Sequence, residues 1–183
     1  VMLYHPFKVR NQGEVPCCTA IAIITCMEIL DAQFEPTVEL SALYLYWVAR
    51  REKGVLHALE FDTALKWAIT NGVSSLGLHD YHENDPDNAI SPPSKEAHND
   101  ASFHKISMRN SPRREVGYYS LPVGSSNAPS KWKETLRAGI PIVAGMRVSP
   151  EYESLNFSNP VYQPVINQPL SRLGHAITII GFD

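Results

Sequence analysis

Three residues carry the chemical interest of this 183-residue sequence: Gln12, Cys18 and His175. Cys18 heads an apolar run, CTAIAIITCMEILD, just behind Pro16. At the start of a helix the free N–H groups and the helix dipole stabilise a thiolate. A thiolate beside a base is an activated nucleophile. Gln12 stands six residues ahead, in Asn11-Gln12-Gly13. Its side-chain amide can donate one hydrogen bond and the Cys18 N–H a second. Two donors aimed at one point form an oxyanion hole. His175 follows Gly174 at the head of the last apolar segment, HAITIIGFD, where an imidazole facing a cleft is a candidate general base. Taken singly, each has a plainer reading: a small buried cysteine, a turn residue before Gly13, a histidine at a strand edge.

These groups need elements to hold them. Residues 1–16 carry Pro6, Gly13 and Pro16 and read as an extended segment. Residues 18–31 are apolar on every face, which predicts a helix buried all round; their β-branched content leaves a buried strand as the alternative. A second helix is expected over 38–51, from Leu40, Leu43, Tyr44, Trp47 and Val48. A third is expected over 63–71, with Asp62 as N-cap and Gly72 as stop. From His79 to Asn127 prolines, Asn, Asp and Ser predict mostly loop, with short strands near 103–108 and 118–121. Ser130 is expected to cap a helix over 131–138 that Gly139 ends; strands follow at 141–148 and 175–183. Helices first and strands later read as α+β.

Composition narrows the function classes. Apolar residues make up 44% and charged residues 19%, which suits a globular protein with a real core. Sixteen basic against nineteen acidic residues, a net charge of −3, disfavour a general nucleic-acid binder. No apolar run reaches the ~18 residues that span a bilayer. All three cysteines, Cys17, Cys18 and Cys26, fall within ten residues, so a disulfide scaffold is not expected. That fits a reducing compartment, and leaves a cytoplasmic and an exported protein both open. Val1 to Pro6 reads as neither signal nor transit peptide.

Together Arg10-Asn11-Gln12-Gly13, Cys18-Thr19-Ala20 opening a long apolar helix, and Gly174-His175-Ala176-Ile177 with Ile180-Gly181-Phe182-Asp183 resemble the papain-like cysteine peptidase family, in its disulfide-free branch. In that family a Gln-Gly pair precedes the nucleophile by the same six residues, and the histidine heads a strand ending near Gly-Tyr-Asp. Segments 40–46 (LSALYLY), 62–72 (DTALKWAITNG) and 132–143 (WKETLRAGIPIV) resemble its other helices and strand, so the likeness touches most of the chain and is weakest from 80 to 128. The resemblance implies a papain-like α+β fold, with a helical lobe carrying Cys18 packed against a sheet lobe carrying His175. It implies one catalytic domain over 1–183, mainly helical to about residue 80 and mainly sheet and loop beyond. Cys18 would be nucleophile, His175 base and then acid, and Gln12 oxyanion donor. No cofactor or metal is implied; the partners would be a peptide or protein substrate and a pro-segment or inhibitor.

The sequence departs from the family pattern at four places. Val15-Pro16-Cys17-Cys18-Thr19 replaces Cys-Gly-Ser-Cys-Trp, with no cysteine for the usual bridge and Thr19 for the tryptophan. Cys17 adjoins Cys18, and the six-residue count selects Cys18. The substrate-binding glycine pair has no clear counterpart; Gly54 is the nearest glycine. The family's histidine-orienting Asn lies roughly fifteen to twenty residues past the histidine, so here it would fall beyond Asp183. That leaves two rivals to a peptidase: a transamidase or deamidase on the same thioester, and a silent domain that binds a peptide or protein. Pocket residues are expected in loops 103–128 and 149–172. The polar cluster His79, Asp80, His82, Glu83, Asp85 and Asp87 matches no standard zinc spacing and reads as solvated loop. Arg109, Arg113 and Arg114 read as a solvated basic patch, and Cys26, Tyr44, Trp47 and Trp67 as core.

Overall fold

The computed structural model describes residues 1–33, 38–50, 56–80, 87–106, 117–149, 151–152, 155, 158, 161–162 and 174–183. In chain order the helices are α1 (Cys18–Asp31), α2 (Ala42–Ala49), α3 (Phe61–Thr70), α4 (Lys95–Ala101) and α5 (Ala128–Arg137); strands β1 (Ile142–Arg147) and β2 (Gly174–Ile179) follow. Short 3-10 turns lie at Leu76–Leu78 and Asn88–Ile90. Among the described residues no helix is long and apolar enough to cross a membrane.

Helix α1 is the axis of the structure. It is a helix and not a strand, and its sides meet α2, α3, β1 and β2 at once. Apolar residues on every face serve that position, because each face is largely covered by a neighbouring element. Its stripe Cys18, Ala22, Cys26 lies at four-residue steps, on one side of the helix. The small side chains of that stripe let β2 come close: Thr178 Oγ1 donates to Ala22 O at 3.0 Å and hydrogen-bonds the Cys26 thiol. Helix α2 is buried along nearly its whole length and starts where Ser41 Oγ accepts from Tyr44 N at 3.0 Å. Tyr44 is 1% exposed, and Trp47 and Trp67 pack on the same core, as expected for core aromatics.

Helix α3 begins two residues before the expected start. Glu60, not Asp62, takes the N-cap place, and Asp62 sits in the first turn, where the helix dipole favours a carboxylate and Lys66 pairs with it. Helix α5 likewise starts at Ala128, ahead of Ser130, because Pro129 suits the first turn, whose N–H groups have no partner within the helix. The largest correction is α4, inside the stretch expected to be loop. Ser94 caps it by accepting from Ala97 N at 3.1 Å. Its only apolar residues are Ala97 and Ala101, one turn apart and fully buried, too small a stripe to stand out in the sequence. Residues 103–106 and 118–121 form no strand; 107–116, including Arg109, Arg113 and Arg114, lie outside the described residues.

The segment after α4 packs on the helical elements through Val73 N to His104 O at 3.0 Å and Ile106 N to Ala68 O at 3.3 Å. Gly72 allows this. Its φ is +86°, and a Cβ there would stand 1.8 Å from Ala101 O. Gly72→Ala should therefore lower stability by about 2–3 kcal/mol, since neither the backbone angle nor the space admits a side chain. Thermal denaturation reads this, and a melting temperature unchanged from the parent would refute the packing.

Strands β1 and β2 pair antiparallel, with Met146 opposite His175 and Gly145 opposite Ala176. Gly145 leaves room for the Phe61 ring at the start of α3, whose Cε2 lies 3.0 Å from where a Cβ would be. Beyond β2, Met2 bridges Gly181, and Leu3 N donates to Ile180 O at 2.7 Å. The chain's first residues thus edge the histidine strand, while residues 10–18 run on into α1.

Candidate active site

Cys18 is the first residue of α1, and His175 the second of β2. The structure brings them together: the His175 ring stands close enough to the Cys18 thiol to act on its ionisation. Burial by itself would raise the thiol pKa. The His175 hydrogen bond, the Ala176 N–H, the His175 charge and the Thr19 N–H outweigh it, and the pKa falls below the ordinary thiol value. The residue after the histidine thus contributes its backbone to the same sulfur.

The neighbouring cysteines differ. Cys17 is 0% exposed at the N-cap place of α1. Cys26 is pushed up to about 12 by burial, with only the Thr178 hydroxyl opposing. A thiol at that value is protonated and inert at neutral pH.

Gln12 lies half-buried in the turn before α1. Asn11 Oδ1 accepts from Gly13 N at 3.1 Å, and Gly13 takes a positive φ of 53°. The Gln12 amide donates to Val15 O at 3.2 Å, a bond that must be shared or exchanged for the amide to serve a substrate oxyanion. Arg10, in the same segment, is anchored on Glu28 of α1.

Sequence reasoning missed the aromatic side of the site. The Tyr152 ring packs on His175 with centroids 5.1 Å apart and planes at 58°. Burial, the Cys18 charge and the Tyr162 charge all raise the Tyr152 pKa. The only signal in the sequence was a tyrosine in a loop.

A cavity of about 240 Å³ lies in the helical part, lined by Ala49, His57, Ala58, Leu59, Glu60 and Thr63. It adjoins α1 through Thr19 Oγ1, which donates to Leu59 O at 3.1 Å. Much of the loops 103–128 and 149–172, where pocket residues were expected, lies outside the described residues. Gly54 lies outside the described residues, as do His82, Glu83 and Asp85. His79 is no part of a solvated loop: it packs edge-on against Tyr44, and burial, with the His98 charge, lowers its pKa. Among the described residues no group of three His, Cys, Asp or Glu side chains could hold a metal ion.

Neither a scan against protein-family models nor a search of curated proteins gave a match. Solved structures do match. Xylellain, a cysteine protease from Xylella fastidiosa, superposes with a TM-score of 0.77 at 24% identity, covering 100% of this chain and 69% of that one. The chain has the papain-like fold. The Carica candamarcensis cysteine protease CMS1MS2 gives a TM-score of 0.61 at 17% identity over 95% of this chain and 71% of that one. A structure from work on the mite allergens Blo t 1 and Der p 1 gives 0.56 at 20% identity, over 95% and 52%. In this papain-like fold, Cys18 belongs to the helical lobe, as expected from the sequence.

Proposed function

We propose that the chain is a cysteine peptidase that hydrolyses peptide bonds through a thioester. The observation that carries this reading is His175 set beside Cys18 at the head of α1, in a fold shared with cysteine proteases. His175 takes the Cys18 proton, and the sulfur attacks the scissile carbonyl carbon. The oxyanion is held by the Cys18 N–H and the Gln12 amide. The imidazolium gives its proton to the departing amine, leaving a thioester. His175 then deprotonates a water that attacks the thioester; the acid leaves and the thiol is restored. The substrate is a peptide or protein, and the reaction uses no cofactor.

Site-resolved labelling tests the reading. The folded protein is treated with a peptidyl epoxide near pH 6, its intact mass is measured, and the adduct is mapped. One adduct is expected, on Cys18, because Cys17 is sealed and Cys26 is protonated. Labelling spread over the three cysteines, or none at all, would count against an assembled pair and favour a silent binding domain. Product masses with a peptide and an added amine separate hydrolysis from transamidation.

A further inference from the structure

The geometry points to Tyr152 as the residue that positions the His175 imidazole. This rests on the peptidase reading above and adds a role for a loop residue outside the Cys–His–Gln set. An imidazole turns about two single bonds, and a contact on one side alone leaves the ring free to swing. Cys18 meets His175 from α1, and Tyr152 meets it from the loop after β1.

Tyr152 is itself held. Tyr162 packs edge-on against it, with centroids 5.5 Å apart at 87°. The Tyr162 hydroxyl accepts from Ser149 N at 3.0 Å and lies 2.9 Å from Ser149 Oγ. Ser149 is 2% exposed, two residues past the end of β1. Tyr152 N also donates to Ser149 O at 3.0 Å. The contacts close a circuit: β2 to His175, then Tyr152, Tyr162, Ser149, and back through β1, whose Met146 pairs with His175. The ring that meets the imidazole is thus fixed to the sheet that carries it. The recorded contact is between the rings, with no hydroxyl bond to His175, so a phenylalanine should serve as well as the tyrosine.

Among the described residues the titratable groups near this imidazole are Cys18 from α1 and Tyr152 from the loop, with Tyr162 behind it; β1 sets Met146 opposite and Arg147 one step along, opposite Gly174. A misplaced imidazole stops supporting the thiolate, so the acid side of the Cys18 alkylation profile reports on ring position.

The experiment follows iodoacetamide alkylation of Cys18 from about pH 5 to pH 10 in the parent, His175→Ala, Tyr152→Phe and Tyr152→Leu. Tyr152→Leu keeps apolar bulk but loses the aromatic face. It should slow labelling near pH 6 about five- to tenfold and leave the rate near pH 10 unchanged, while Tyr152→Phe should follow the parent. Labelling near pH 10 equal to the parent's shows the variant is folded around Cys18. Should Tyr152→Leu slow both limbs or fail to fold, Tyr162→Phe, which removes only the clasp on Ser149, must reproduce the selective acid-side loss for the inference to stand. A Tyr152→Leu profile identical to the parent overturns the inference, and so does a loss of equal size in Tyr152→Phe. A parent profile identical to that of His175→Ala overturns the peptidase reading and this inference with it. A parent that exceeds His175→Ala on the acid side, with Tyr152→Leu unchanged, overturns only the role of Tyr152.

Discussion

His175→Ala should cut peptide hydrolysis by about a thousandfold and move the acid limb of activity to higher pH. Burial is the largest influence on the Cys18 thiol and raises its pKa; both contributions of His175, the hydrogen bond and the charge, lower it. Without them burial is opposed only by the N–H groups of Ala176 and Thr19. The thiol then ionises at higher pH, so less thiolate is present at neutral pH. On the proposed mechanism the leaving amine also loses its proton donor, a loss that raising the pH does not repair. Cys18 alkylation should therefore recover toward parental rates above the thiol's own pKa, whereas hydrolysis should not. A pH–rate profile for each reaction, on parent and variant, checks both halves. Equal hydrolysis by the two proteins would remove His175 from the mechanism.

The second large effect concerns the nucleophile helix. Glu28→Ala should cost about 3–5 kcal/mol, a large part of the ~5–15 kcal/mol that a domain of this size possesses. Glu28 is 0% exposed in the interior of α1. Its carboxylate accepts from Arg10 Nη1 at 2.9 Å and Nη2 at 2.6 Å, from Leu40 N at 2.7 Å, and meets His5 Nε2 at 2.9 Å. Alanine would leave the Arg10 guanidinium, whose side chain is only 10% exposed, with Glu39 at 3.2 Å as its remaining ion partner. A buried guanidinium that loses its two-pronged partner and keeps only a longer contact with the part-exposed Glu39 is what makes such a loss large. A melting temperature lower by roughly 10 °C is expected. The double change Glu28→Met with Arg10→Met removes both charges and should cost less than Glu28→Ala. A double change that costs more would show that packing, not charge, dominates the cluster. The cluster also ties the Arg10–Gly13 segment to α1, so Glu28→Ala should slow Cys18 labelling as well as unfold the protein more readily.

Some of this was legible along the chain. Helix α1 begins at Cys18 because Pro16 stops the preceding segment and an all-apolar run follows; those are local signals of type and period. Gly139 ends α5 with a φ of +81°, as a glycine placed there should. Cys18 and His175 could be picked out as candidates because chemistry restricts which residue types can act together, and the structure sets them side by side.

Tertiary structure decided the rest. Glu28 lies in a run that reads as apolar throughout, and its partners His5 and Arg10 stand 23 and 18 residues away. Nothing local says that a carboxylate there will be buried and paired. Helix α4 shows a stripe of only two alanines, which becomes a core contact once Gly72 lets the backbones meet. Tyr152, Tyr162 and Ser149 are common loop residues; only the closure of β1 on β2 sets their rings and hydroxyls around His175. The sequence by itself determined which groups are candidates to react and where the long apolar elements form, since both follow from residue type and near spacing. The fold decided how those groups are held, because that depends on contacts between ordinary residues far apart in the chain.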